Sequence, residues 1–252
     1  MNLDGYALPI KKLKGTDPVE SLDLSGKNLS VASTIVIASL ISVNGSLTSL
    51  DLSKNRLGAE GAAALAPALA ANGSLTSIDL SQNQLCGVNF MGGTYTTKGI
   101  TAIADALRVN GSLTSLNLSS NHFGAKGAAA LAPALAAHGS LTSLDLSNNV
   151  LCGMTGICST YTAEGITAIF DALRVNGALT ELSIYGNHVG DEGVCAICEA
   201  IQSNKETKLA SLNFGYNGMG PVGANAVAAM VAVTGSLTKM RYVTPKLERI
   251  WV

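Results

Sequence analysis

In the stretch Leu47-Thr48-Ser49-Leu50-Asp51-Leu52-Ser53-Lys54-Asn55-Arg56-Leu57, apolar Leu50 and Leu52 flank polar Asp51, and Asn55 follows three residues later. Apolar–polar alternation over so short a run is the period of a strand with one buried face. The phrase returns at Leu75, Leu113 and Leu141 and, more loosely, at Leu179 and Leu209. Val19–Leu24 opens the series and Leu237–Tyr242 closes it, which gives eight strand units. Residues 47–112 recur as 113–178 with 47 of 66 positions identical, the mark of an internal duplication.

Asn55, Asn83, Asn121, Asn149, Asn187 and Asn217 share one place in the repeat. A buried amide there can donate and accept toward turn backbone that would otherwise be unpaired. The first repeat departs, with Lys27 at that place and Asn28 beside it. Each strand is followed by a helix, as in Gly61–Gly73, where Leu65 and Leu69 lie one turn apart and face inward. Pro67 and Pro133 fall mid-helix and lack an N–H, so they predict a bend and an outward-looking face. Asn72-Gly73 is expected to supply the left-handed residue that ends its helix.

Strands about 4.8 Å apart and helices about 10 Å wide cannot stack straight. The expectation is an α/β fold: a curved horseshoe solenoid, parallel sheet on the concave face and helices on the convex face. The strand phrase followed by Gly-Ala-x-Gly-Ala-x-x-Leu-Ala-x-Ala-Leu resembles leucine-rich repeats of the ribonuclease-inhibitor class. The same class occurs in NOD-like receptors and Ran GTPase-activating proteins. The resemblance covers roughly residues 19–243 and implies a binding protein without naming its ligand. Residues 1–18, with Leu8, Ile10 and Leu13, read as an N-terminal cap and 19–243 as eight repeats. Residues 244–252, which hold the single Trp, read as either a lid on the last repeat or a docking tail.

Composition agrees with stacked identical layers: 47% hydrophobic residues but 4% aromatic and 13% charged, with 27 Gly. A net charge of −1 gives no global field toward nucleic acid. No apolar run reaches the roughly 20 residues that span a bilayer, so direct membrane insertion is not expected. Residues 1–14 have no apolar stretch before a cleavage site, and five cysteines make no even framework. Both point to the cytoplasm or another reducing intracellular compartment rather than secretion. Asn-x-Ser sequons at Asn44, Asn72, Asn110 and Asn117 recur with the repeat and are expected to carry no glycan.

Curved repeat proteins bind on the concave sheet. One row there runs Asp23, Asp51, Asp79, Asn117, Asp145, Ser183, Asn213, Arg241, and a second includes Glu181 and Lys239. It reads as a surface for a basic peptide or protein loop, or as polar filler on a solvated sheet. Tyr185 and Tyr216, just past their strands, are the better anchors, because hot spots favour Trp, Tyr and Arg. Two insertions of about ten residues, after Leu85 and Leu151, form a second candidate surface on one rim, carrying Phe90, Met91, Tyr95, Ile157 and Tyr161. The tyrosines, identical in both copies, also read as loop-base packing.

No catalytic, cofactor-binding or metal constellation emerges. His122 and His188 share a repeat position two units apart, near 10 Å by strand spacing, too far to share a metal. Cys195 and Cys198 replace Ala63 and Ala66 of another repeat and read as small buried thiols. Gly92–Gly99 does not match the phosphate-loop spacing. The leading expectation is a non-catalytic scaffold for a protein or peptide partner, within a larger complex or alone. The alternatives are a structural subunit of a multiprotein complex and, by resemblance, a small-GTPase regulator, although the acidic tail of Ran GTPase-activating proteins is missing.

Overall fold

The structure is a computed structural model that describes residues 2–89, 92–153 and 161–242. Residues 244–252 lie outside them. The described residues fall into two compact units, unit 1 and unit 2, divided between His122 and Phe123. Unit 1 opens with the antiparallel strands β1 (Asn2–Leu3) and β2 (Tyr6–Ala7) and the short helix α1 (Ile10–Lys14). Strands β3 (Ser21–Asp23), β4 (Ser49–Asp51) and β5 (Ser77–Asp79) then alternate with helices α2 (Val31–Ile41) and α3 (Gly58–Ala71). A small hairpin, β6 (Val88–Asn89) with β7 (Gly92–Gly93), precedes α4 (Lys98–Leu107) and β8 (Ser115–Asn117). Strands β3, β4, β5 and β8 pair in parallel with equivalent residues opposite: Leu22, Leu50, Ile78 and Leu116 share one register line.

Unit 2 repeats the pattern with α5 (Gly124–Ala137), β9 (Ser143–Asp145), α6 (Glu164–Leu173), β10 (Glu181–Ser183), α7 (Gly190–Ser203), β11 (Ser211–Asn213), α8 (Pro221–Val233) and β12 (Lys239–Arg241). Its four strands β9 to β12 are also parallel, aligning Leu144, Leu182, Leu212 and Met240. The strand leucines and the inward helix residues, Leu65 and Leu69 among them, form the core. Pro67 and Pro133 are exposed, on the face where a missing N–H is tolerated, and their helices run on past them.

The predicted asparagines are buried and bridge neighbouring repeats. In unit 1, Asn83 Nδ2 donates to the carbonyls of Leu52 (2.8 Å) and Leu80 (3.1 Å), while its own N–H donates to Asn121 Oδ1 (2.9 Å). In unit 2, Asn187 Nδ2 reaches the carbonyls of Leu146 and Ile184, both at 2.9 Å, and Asn187 N–H donates to Asn217 Oδ1 (2.8 Å). Each amide therefore satisfies backbone of two successive layers.

The expected left-handed helix end at Asn72-Gly73 is not what forms. Asn72 is extended (φ −78°, ψ 121°), and Gly73 is not among the glycines with positive φ. Asn72 instead turns its side chain inward: Nδ2 donates to the carbonyls of Ile41 (2.7 Å) and Asn44 (3.0 Å), and Oδ1 accepts the amides of Ser74 and Leu75. Asn44 and Asn110 in unit 1 and Asn176 and Asn204 in unit 2 do the same. This second ladder outcompetes a left-handed cap because it pairs carbonyls of the neighbouring helix end as well as its own turn. It also buries the sequon amides of Asn44, Asn72 and Asn110, leaving no free nitrogen for a glycan.

Left-handed backbone is used elsewhere, in the turn after each strand. Lys54, Gln82 and Ser120 in unit 1, and Asn148, Gly186 and Tyr216 in unit 2, all have φ between 54° and 68° immediately before the first-ladder asparagine. At the following position, Val150 (φ 58°) holds a β-branched side chain in that region, a locally strained conformation.

Candidate binding faces

Residues i and i+2 of a strand share a face. Asp51, Asp79 and Asn117 thus stand in register on the solvent side of the unit 1 sheet, opposite the buried leucines. Each is half-buried and engaged in a turn. Oδ1 of Asp51 accepts the amide of Ser53, Oδ1 of Asp79 that of Ser81 (both 2.8 Å), and Oδ1 of Asn117 that of Ser119 (2.9 Å). Asp79 Oδ2 also accepts Asn117 Nδ2 at 2.8 Å, so this sequon nitrogen too is engaged. Asp145 Oδ1 accepts the amide of Ser147 (2.8 Å) and Asn213 Oδ1 that of Gly215 (3.3 Å). In these five residues the side chain caps the turn that leads to the first-ladder asparagine. At Asp23, the Ser25 hydroxyl and amide hold the carboxyl below the usual carboxylate value.

Unit 2 departs from this pattern. Tyr185 follows Ser183 on the same face, and its ring meets that of Tyr216 with centroids 5.1 Å apart at 50°. Both are half-buried. In the four repeats with the short polar turn, the places of Tyr185 and Tyr216 are held by Ser53 and Lys54, Ser81 and Gln82, Ser119 and Ser120, and Ser147 and Asn148. Asp145, Ser183, Asn213 and Arg241 line up across β9 to β12, as do Ser143, Glu181, Ser211 and Lys239. Glu181 and Lys239 are two strands apart, roughly 10 Å. The face is therefore acidic on one side of the ring pair and basic on the other.

A family model described as Leucine Rich repeat matches residues 43–66, 109–132, 178–198 and 205–228. The chain carries leucine-rich repeats of the ribonuclease-inhibitor-like type. Among solved structures, it is similar to the leucine-rich repeat-containing protein LegL7 from Legionella pneumophila, at 17% identity, over 97% of this chain and 90% of that one, with a TM-score of 0.53. A Bacteroides fragilis protein matches at 12% identity, over 96% of this chain and 69% of that one, with a TM-score of 0.52. The C-terminal domain of Caenorhabditis elegans tropomodulin matches at 12% identity, over 70% of this chain and 92% of that one, with a TM-score of 0.49. Comparison with curated proteins finds no match.

The rim of this leucine-rich-repeat chain is partly described. In the first insertion β6 and β7 pair so closely that a Cβ on Gly93 would lie 2.2 Å from the Gly87 carbonyl oxygen. Tyr95 is 41% exposed beyond that hairpin and Tyr161 is 39% exposed in the second copy. The Tyr161 hydroxyl donates to the Val189 carbonyl (2.9 Å), so it does pin the base of its loop, and burial pushes its pKa up to about 12. Phe90, Met91 and Ile157 lie outside the described residues.

Burial pushes the thiols of Cys86 and Cys198 up to about 12 and that of Cys152 up to about 11, which leaves them protonated and unreactive at neutral pH. Cys86, Cys152, Cys195 and Cys198 are free thiols. No group of three or more His, Cys, Asp or Glu among the described residues is placed to hold a metal. No described helix is long and apolar enough to cross a membrane.

The second asparagine ladder and the turn-capping row are what sequence reasoning missed. The recurrence of Asn-Gly-Ser at 44, 72 and 110, with Asn176 and Asn204 in phase, was the available signal for the ladder.

Proposed function

We propose that the chain is a non-catalytic scaffold that binds a protein or peptide through the unit 2 sheet face centred on Tyr185 and Tyr216. The observation that carries this reading is the ring pair itself. The other repeats fill the same two places with small or polar residues, so packing of the repeat does not require aromatics there. Tyrosine offers a large, stiff contact area at low entropic cost. With Asp145 and Glu181 to one side and Lys239 and Arg241 to the other, the face suits an extended segment with an aromatic residue or proline between opposite charges. Asp51, Asp79 and Asn117 supply a polar contact in unit 1, and the rim residues Phe90, Met91, Tyr95, Ile157 and Tyr161 a second surface.

Selection of displayed peptides against the full chain tests the proposal. The enriched peptides should bind Y185A/Y216A at least about tenfold more weakly, the loss of roughly 1.4 kcal/mol from a modest hot spot. Unchanged Kd on a double variant with native circular dichroism overturns it.

A second reading, a structural subunit packed laterally against neighbours, is favoured by one observation. Val43 and Val109 in unit 1 and Val175 and Val233 in unit 2 occupy equivalent helix ends and are 67–71% exposed. A monomer by light scattering across a wide concentration range counts against packing between copies of this chain.

A further inference from the structure

The second ladder is written with the dipeptide Asn-Gly at Asn44-Gly45, Asn72-Gly73 and Asn110-Gly111 in unit 1 and at Asn176-Gly177 in unit 2. In unit 1 nothing in the fold asks for that glycine. Gly45, Gly73 and Gly111 are exposed, none has a positive φ, and a Cβ on any of them would meet nothing within 4 Å. The asparagine, by contrast, is buried and held at both ends of its amide. Asn110 Nδ2 donates to the carbonyls of Leu69 (2.7 Å) and Asn72 (3.1 Å), and its Oδ1 accepts the amides of Ser112 (3.0 Å) and Leu113 (2.8 Å). Asn176 does the same with the carbonyls of Leu135 (2.7 Å) and His138 (3.2 Å) and the amides of Ala178 (3.0 Å) and Leu179 (2.9 Å). A reactive dipeptide and a tight hold on its side chain thus coincide.

We propose that Asn44, Asn72, Asn110 and Asn176 are sites of spontaneous deamidation, held silent by the ladder and released when the helix end that bears them opens. Glycine has no Cβ to shield its amide nitrogen, which makes Asn-Gly the dipeptide that closes most readily on itself. The glycine nitrogen attacks the asparagine side-chain carbonyl carbon, and the proton it gives up passes through solvent to Nδ2, which leaves as ammonia. Water then opens the resulting succinimide at either carbonyl, giving aspartate or isoaspartate. In the closed ladder the side chain cannot turn toward that nitrogen without breaking its buried hydrogen bonds. Once formed, the product cannot return to its place. At Asn72, a carboxylate has no hydrogen for the carbonyls of Ile41 and Asn44 and would be a charge in a buried site. Isoaspartate also lengthens the backbone. Each opening that lasts long enough is therefore recorded as a covalent change that keeps the repeat from closing. His138, at the same place in its repeat, has no side-chain amide to lose.

The full chain is held at mildly alkaline pH, folded or unfolded in urea, and the gain of acid at each asparagine is followed by peptide mass mapping. The four sites should react at least about tenfold more slowly in the folded chain, because local openings are rare. Equal rates in the two states overturn the proposal. After dilution from urea, the native fraction recovered by gel filtration should be depleted of the four acid forms and the non-native fraction enriched in them. An even split between the fractions contradicts the blocked return. G45A/G73A/G111A should fold and, in urea, slow the gain at Asn44, Asn72 and Asn110 severalfold, while Asn176 keeps its rate as an internal clock. Unchanged rates at the three altered sites rule out attack by the glycine nitrogen.

Discussion

His138 Nδ1 accepts the backbone amide of Leu141 at 3.1 Å, the place that asparagine Oδ1 takes toward Leu179 in the next repeat. The imidazole thus imitates half of the second ladder. Its other nitrogen, Nε2, is buried without a hydrogen-bond partner. Burial holds the His138 pKa below its ordinary 6.5. The unfolded chain therefore binds a proton more readily than the folded one. Stability is full above pH 6.5 and declines as the pH falls from there toward the lowered folded value. H138N should raise stability by about 1 kcal/mol at pH 7.5 and flatten the decline toward pH 5.5. Urea melts at both pH values check this, and a less stable H138N at pH 5.5 contradicts it.

The two polar rows should respond very differently to truncation. N187A deprives the buried Asn149 amide of its acceptor, Asn187 Oδ1, and takes one of two asparagine donors from each of the carbonyls of Leu146 and Ile184, so it should cost about 3 kcal/mol or more. D51A removes a turn bond from a half-buried surface and should cost about 1 kcal/mol. Denaturant midpoints of the two variants decide whether the distinction holds.

Helix packing at the insertion depends on a residue with no side chain. A Cβ on Gly99 would lie 2.2 Å from the Leu85 carbonyl oxygen and 2.9 Å from the Ala59 Cα, both backbone atoms that cannot swing aside. G99A should therefore destabilise by about 2 kcal/mol or more despite the better helix propensity of alanine. At Gly73 a Cβ meets nothing within 4 Å, so G73A should stay within about 0.5 kcal/mol of the unaltered chain. Thermal melts of both separate steric cost from backbone preference.

Lys98 pairs with Glu60 across α3 and α4, both side chains being more than half exposed. In the duplicated block the charges exchange places, as Lys126 and Glu164. E60K alone should cost about 0.5 kcal/mol, and E60K/K98E should recover most of it. A double variant no better than the single one by melting contradicts a direct interaction.

The leucine period and the first asparagine were enough to read the strands, their parallel stacking and the buried amides in advance, because both patterns follow from local chemistry. Asn72 was not legible in that way. Asn-Gly is also a helix-ending signal, and only the presence of a neighbouring helix end, with carbonyls in need of donors, decides between the two. The same holds for Asp51 and Asp79, whose turn bonds look like any exposed carboxylate in sequence. Tyr185 and Tyr216 could be picked out singly, but their ring contact goes with a left-handed backbone at Tyr216 itself, a residue type that does not announce it.

The second ladder takes its acceptors from the layer before and its donors from the layer at hand, and the first ladder bridges the same single step, its Oδ1 accepting amides of the layer before. A whole repeat can therefore be gained or lost with every amide still finding the same partner, while a fraction of a repeat cannot. Growth in complete cassettes, such as the 66-residue block already copied once, is the change in chain length that this hydrogen-bond economy leaves open.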